Sequence, residues 1–127
     1  MDSASRAGDG PVLVIEDEPD LQLLLRLLLG RAGYAVAGLQ SGFGAVDAAR
    51  RLRPRAIILD LGLPYRPGGA VLAELKADPA TAPIPVLVVT GLPEALGARR
   101  ALAAAVLEKP VRGPALLAAL ARAVGAA

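Results

Sequence analysis

The 127 residues include no cysteine and no histidine. The first absence removes disulfide frameworks, thiolate metal sites and cysteine nucleophiles; the second removes imidazole bases, imidazole metal ligands and phosphohistidine chemistry. Aromatic residues make up 2% of the chain, so few surface rings are left on which nucleic-acid bases could stack. The net charge is only +2 and the arginines are scattered rather than striped, which provides no basic face for nucleic acid despite a sequence pI of about 9.5. No apolar run reaches the length of a membrane span, because Arg26 interrupts Leu21 to Leu29, and residues 1–10 lack the apolar core of a signal peptide. These absences lead us to expect a soluble, cytoplasmic protein with no nucleic-acid or membrane partner. Carboxylate, hydroxyl and lysine groups are left to carry its chemistry.

What is present is aliphatic. Hydrophobic residues reach 54%, carried by Ala, Leu and Val, and the length suits one domain that buries its own core. Residues 1–10, small and polar, read as a disordered tail, with the domain running from 11 to 127. Apolar runs at Val12–Ile15, Tyr34–Ala37, Ala56–Leu59, Val86–Val89 and Ala105–Leu107 read as strands. Between them, helical spacing predicts helices from Pro19 with Leu21, Leu24, Leu25 and Leu28 on one face, from a Ser41 cap, over Gly69–Ala77, over Pro93–Ala103 and over Pro114–Val124. Strands alternating with helices argue for a doubly wound α/β sandwich around a parallel sheet, because parallel neighbours need crossover helices. Right-handed crossovers then bring the ends of strands one, three, four and five to one edge.

Polar residues that follow those runs include Glu16 and Asp17, Asp60, Thr90 and, after Glu108, Lys109. Asp60 closes the apolar run of IILDLGLP, at the edge where open α/β sheets bind ligands. Three clustered carboxylates repel one another and make sense around a hard divalent cation. Magnesium suits them, since it takes octahedral oxygen ligands at about 2.1 Å and bridges readily to a phosphoryl oxygen. Asp60 is then a candidate nucleophile toward phosphorus, with the Thr90 hydroxyl and Lys109 ammonium receiving the other phosphoryl oxygens and the Gly62 carbonyl serving as a further metal ligand. Only two of the 14 basic residues are lysines, so the placement of Lys109 in this set calls for a reason.

The fragments VLVIEDEPD, ILDLGLP, VVTG and LEKP, in this order and spacing, resemble the receiver domain of two-component response regulators from Pro11 to Val124. The resemblance implies a (βα)5 flavodoxin-like fold with a five-stranded parallel sheet of order 2-1-3-4-5. It also implies that Asp60 accepts phosphate from the phosphohistidine of a sensor histidine kinase or phosphotransfer protein. Magnesium would be held by Asp17, Asp60 and the Gly62 carbonyl, with Glu16 supporting, and the bond to Pro110 would be cis. The chain is then a phosphoacceptor signalling domain without an output domain of its own, acting by docking to an effector protein rather than as an enzyme. Three departures stand out. Val106 occupies the position of the family's switch aromatic, which works together with Thr90. Thr90 and Lys109 are 19 positions apart (109 minus 90), short of the usual gap by roughly one helical turn, and Pro67 precedes Gly68 where a small polar residue is common. These departures motivate an alternative, a degenerate receiver acting as a phosphorylation-independent interaction module. A phosphate-ester hydrolase is disfavoured, because Gly62 stands where a second general acid would be needed. DNA binding has no helix-turn-helix segment behind it.

Overall fold

The β-branched and leucine-rich runs form five strands: Gly10–Ile15 (β1), Val36–Leu39 (β2), Pro54–Asp60 (β3), Val86–Thr90 (β4) and Ala105–Glu108 (β5). They are seen in a computed structural model that describes residues 9–64 and 66–125. All pairings are parallel and the sheet order is β2-β1-β3-β4-β5, a doubly wound flavodoxin-like arrangement. The crossovers are the helices Pro19–Arg31 (α1), Ala45–Leu52 (α2) and Gly68–Ala77 (α3) and a 3-10 segment, Pro93–Leu102; Gly113–Ala123 (α4) closes the chain.

Side chains alternate across the central strands and so build two cores. Leu13, Ile15, Ile57, Leu59, Val86 and Val88 face one layer, where Ala48 of α2 and Val71, Leu72 and Leu75 of α3 cover them. Val12, Val14, Ile58, Leu87 and Val89 face the other, against Leu25 and Leu29 of α1 and Leu116 and Leu120 of α4. The register pairs Ile15 with Leu59 and Asp60 with Val89. It therefore decides which residues emerge together at the carboxyl edge.

Several boundaries differ from the sequence reading. β1 begins at Gly10, inside the expected tail, because Gly10 N–H donates to the Arg53 carbonyl at 3.0 Å; residues 1–8 of that tail lie outside the described residues. The second strand lies two residues later than Tyr34–Ala37. Tyr34 N–H is taken by the Leu29 carbonyl, and Gly33, at φ 98°, makes the turn out of α1. Ser41 does not cap α2: its hydroxyl accepts the Phe43 N–H at 3.0 Å, and the helix starts only after Gly44, whose φ of 77° suits glycine. The expected fourth helix is instead a 3-10 segment broken at Gly97, where φ 53° and ψ −131° interrupt any helical ladder. The buried face of α1 is Gln22, Leu25 and Leu29, whereas Leu24 is 61% exposed and Leu23 and Leu27 are exposed with it.

Candidate functional site

Because Ile15 and Leu59 are register partners, the residues after them, Glu16 and Asp60, leave the sheet side by side. Strand spacing alone sets neighbours about 4.8 Å apart. Glu16, Asp17 and Asp60 each offer one carboxylate oxygen, and these atoms lie within 4.8 Å of one another. Glu16 and Asp60 are buried, at 2% and 5% exposure, and Asp17 is half-buried. Short turns fix two of the three. Glu18 N–H donates to Glu16 Oε2 at 3.1 Å, and Gly62 N–H donates to Asp60 Oδ1 at 3.1 Å. The loop after β3 is also drawn close to its own strand. Gly68 N–H donates to the Leu61 carbonyl at 3.1 Å, and a Cβ at Gly68 would sit 2.4 Å from the Asp60 carbonyl oxygen.

The cation facing this cluster comes from the end of β5. Lys109 Nζ stands 3.3 Å from Asp60 Oδ1 and 4.0 Å from Glu16 Oε1. Its backbone N–H donates to the Thr90 carbonyl at 2.9 Å, and the Lys109–Pro110 peptide is cis. One ammonium does not balance three carboxylates. Burial, reinforced by the charge of Asp60, raises the Glu16 carboxyl to about 7, against the opposing pull of the Glu18 N–H and Lys109. A hard divalent cation answers this arrangement: all-oxygen donors, negative charge in excess, and a carboxylate that sheds its proton as the cation arrives.

Thr90 is buried at the same edge, on the strand next to Asp60, and its hydroxyl accepts the Leu92 N–H at 2.9 Å. Gly62 lies beside the Asp60 carboxylate, which a Cβ there would approach no closer than 3.7 Å. Val106 pairs in register with Val88, half-buried against the α2–α3 core, and carries no ring to rotate. Two features escaped the sequence reading. Gln22, buried in α1, reaches the acid loop from behind. Arg66 pairs with Glu74 and lies over the Phe43 ring at 5.8 Å from its centroid, tying the loop after β3 to the one after β2. Tyr65, its chain neighbour, lies outside the described residues.

The family model described as the response regulator receiver domain matches residues 12–121. The chain belongs to that family. Among relatives of this receiver is the BvgA virulence-factor transcription regulator of Bordetella pertussis, 38% identical over 92 residues, which are 72% of this chain and 43% of that protein. The receiver thus spans less than half of that relative's length. Among solved structures it is similar to the receiver domain of sensor histidine kinase PA1611 from Pseudomonas aeruginosa PAO1. That chain is 30% identical with a TM-score of 0.79, the match covers 94% of this chain and 99% of that one, and a magnesium ion is coordinated in its active site cleft. Chemotaxis protein CheY4 of Vibrio cholerae superposes with a TM-score of 0.80 at 27% identity, covering 88% of this receiver and 96% of that chain. No helix among the described residues is long and apolar enough to cross a membrane.

Proposed function

We propose that this receiver is a magnesium-dependent phosphoryl acceptor at Asp60, loaded by a histidine kinase or phosphotransfer protein and signalling by docking to an effector protein in the cytoplasm. The observation that carries the reading is the contact of Lys109 Nζ with Asp60 Oδ1 at 3.3 Å inside a cluster of three carboxylates. Asp60, Asp17 and the Gly62 carbonyl would hold the ion, with Glu16 beside them. When bound, the cation supplies charge neutralisation that lets an anionic phosphoryl group approach a carboxylate. An Asp60 carboxylate oxygen forms the new bond to phosphorus as the bond from phosphorus to the donor imidazole nitrogen breaks, the electron pair leaving with the imidazole. Lys109 moves from Asp60 Oδ1 to a phosphoryl oxygen. The Thr90 hydroxyl, whose oxygen accepts the Leu92 N–H, donates its O–H to another phosphoryl oxygen, pulling on the loop after β4 as roughly two negative charges are added.

The donor has an apolar surface on which to rest. A groove of about 620 Å³ opens beside Lys109, between Leu21, Leu24 and Leu28 of α1 and the segment Pro110–Gly113. Intact-mass measurement after incubation with magnesium and a small phosphodonor tests the acceptor: one phosphoryl group should appear on the wild type and none on Asp60→Asn. An unmodified wild-type chain would sink the reading. Val106 and the kinked Pro93–Leu102 segment favour a second reading, a receiver whose partner binding ignores phosphorylation. Equal partner affinity with and without beryllofluoride would select it.

A further inference from the structure

We propose that Gln22 is a positioning residue for the metal-binding acids, its buried side-chain amide holding the Glu16–Asp17 peptide in the orientation that aims both carboxylates at the ion. The proposal rests on the reading of Glu16, Asp17 and Asp60 as the magnesium site. Gln22 is 6% exposed, and α1 turns it inward while leaving Leu23 and Leu24 in solvent. Burying an amide in place of an available leucine costs free energy unless its hydrogen bonds are made, and they are. The side-chain Nε2 donates to the Glu16 carbonyl at 3.1 Å and to the Leu39 carbonyl at 2.9 Å. Both partners are acceptors only, so the NH2 end of the amide must face them.

The Leu39 carbonyl also accepts the Glu16 N–H at 3.0 Å. Gln22 therefore ties the ends of β1 and β2 together at the residue where the acid loop begins. The carbonyl it holds belongs to the peptide whose nitrogen is that of Asp17, so the plane leading to the half-buried ligand is set by Gln22. Its own backbone N–H donates to the Glu18 carbonyl at 2.9 Å, closing the loop from the other side. An amide supplies these donors without charge, so nothing behind the acids competes with an incoming cation. Gly38 makes room for it: a Cβ there would lie 2.4 Å from Gln22 Oε1 and 2.8 Å from Cδ. The far end of a side chain yields before backbone does, so Gly38→Ala displaces the amide while β2 stays in place.

Calorimetric titration of the metal-free chain with magnesium chloride tests the inference, alongside amide hydrogen exchange of the Asp17 and Glu18 N–H groups without metal. Partners that orient metal ligands are typically worth a factor of about 10 to 100 in metal affinity. Gln22→Met, of similar length but without donors, should raise the magnesium Kd about tenfold and speed exchange at Asp17 and Glu18; Gly38→Ala should do the same. Thr81→Val is the control. It removes a fully buried hydroxyl that donates to the Leu75 carbonyl at 2.6 Å, distant in the fold, and should lower the melting temperature with the Kd unchanged. If Gln22→Met does not fold, Gly38→Ala decides. A wild-type chain that binds magnesium, with the folded variants binding equally well, overturns the positioning role alone, as does an equal loss in Thr81→Val. A wild-type chain that takes up no magnesium overturns the site reading instead, and with it this proposal.

Discussion

Glu16→Gln should stabilise the metal-free protein at neutral pH, although it deletes a carboxylate that contacts Lys109. The carboxyl of Glu16 is raised from 4.5 to about 7, chiefly because folding takes it out of water. Between those two pH values the unfolded chain releases a proton that the folded chain retains. The stability contributed by Glu16 is thus complete below about pH 4.5 and is lost as pH rises through 7. At about 1.4 kcal/mol for each pH unit the difference amounts to about 3 kcal/mol, the most that the variant can gain relative to wild type across that window. Glutamine keeps an oxygen that can accept the Glu18 N–H, so the turn survives. Urea denaturation of both proteins in the presence of a chelator, at half-unit steps from pH 4.5 to 8, measures the effect. The stability of wild type minus variant should fall steadily with pH and level off above 7, and saturating magnesium should restore the wild type more than the variant. A difference that is flat, or that grows with pH, refutes the reasoning.

Other consequences follow from single positions. In Gly68→Ala the new methyl meets backbone at 2.4 Å and 2.6 Å, the Asp60 carbonyl oxygen and Leu61 Cα, so thermal melting should show a loss of about 1–3 kcal/mol. Gly69→Ala meets only the tip of Arg99 and should cost far less by the same assay. Lys109→Met removes the cation that would meet the phosphoryl group and should slow acceptance from a small phosphodonor by about a hundredfold, the usual cost of one lost oxyanion donor. Asp78 is held below the usual carboxylate range by the Ala80 N–H and by Arg50. Its contribution is present above that range and lost as pH falls through the depressed value, so Asp78→Asn should flatten the acid limb of a stability profile and leave the pH dependence near 7 unchanged.

The edge of the sheet was legible because Glu16, Asp60 and Thr90 each end an uninterrupted apolar run, with Asp17 and Lys109 one place further on, and a run buried on both faces has only one place to emerge. The order of runs and breakers sufficed for the alternation of strands and helices around a parallel sheet, whereas the strand order 2-1-3-4-5 came from the resemblance to receiver domains. What resisted reading was rotation. Leucines surround α1 on nearly every side, so apolar spacing could not say that Leu24 faces solvent and Gln22 faces the core; the hydrogen bonds at the ends of β1 and β2 decide that. A lone amide amid LQLLLRLLL was the available signal. Ser41 looked like a cap because its residue type fits, yet Gly44, three positions on, had the backbone freedom that the turn required. Gly97 similarly outweighed the alanines around it, leaving a 3-10 segment where composition favours helix. Arg66 could not be placed without the fold, since Glu74 and Phe43 approach it from separate elements.

The pairing of Ile15 with Leu59 has a consequence for how such a chain can fail. The same ladder that packs the two cores also delivers Glu16 and Asp60 to adjoining positions, so core and chemistry share one reading frame. Deleting a single residue within β3 would put Leu61 where Asp60 now emerges and turn Ile57 and Ile58 toward the wrong layers. The damage would register first as misfolding. A chain with its sheet intact therefore has position 60 in register with position 16, whereas the loops after the strands can change length without disturbing that alignment.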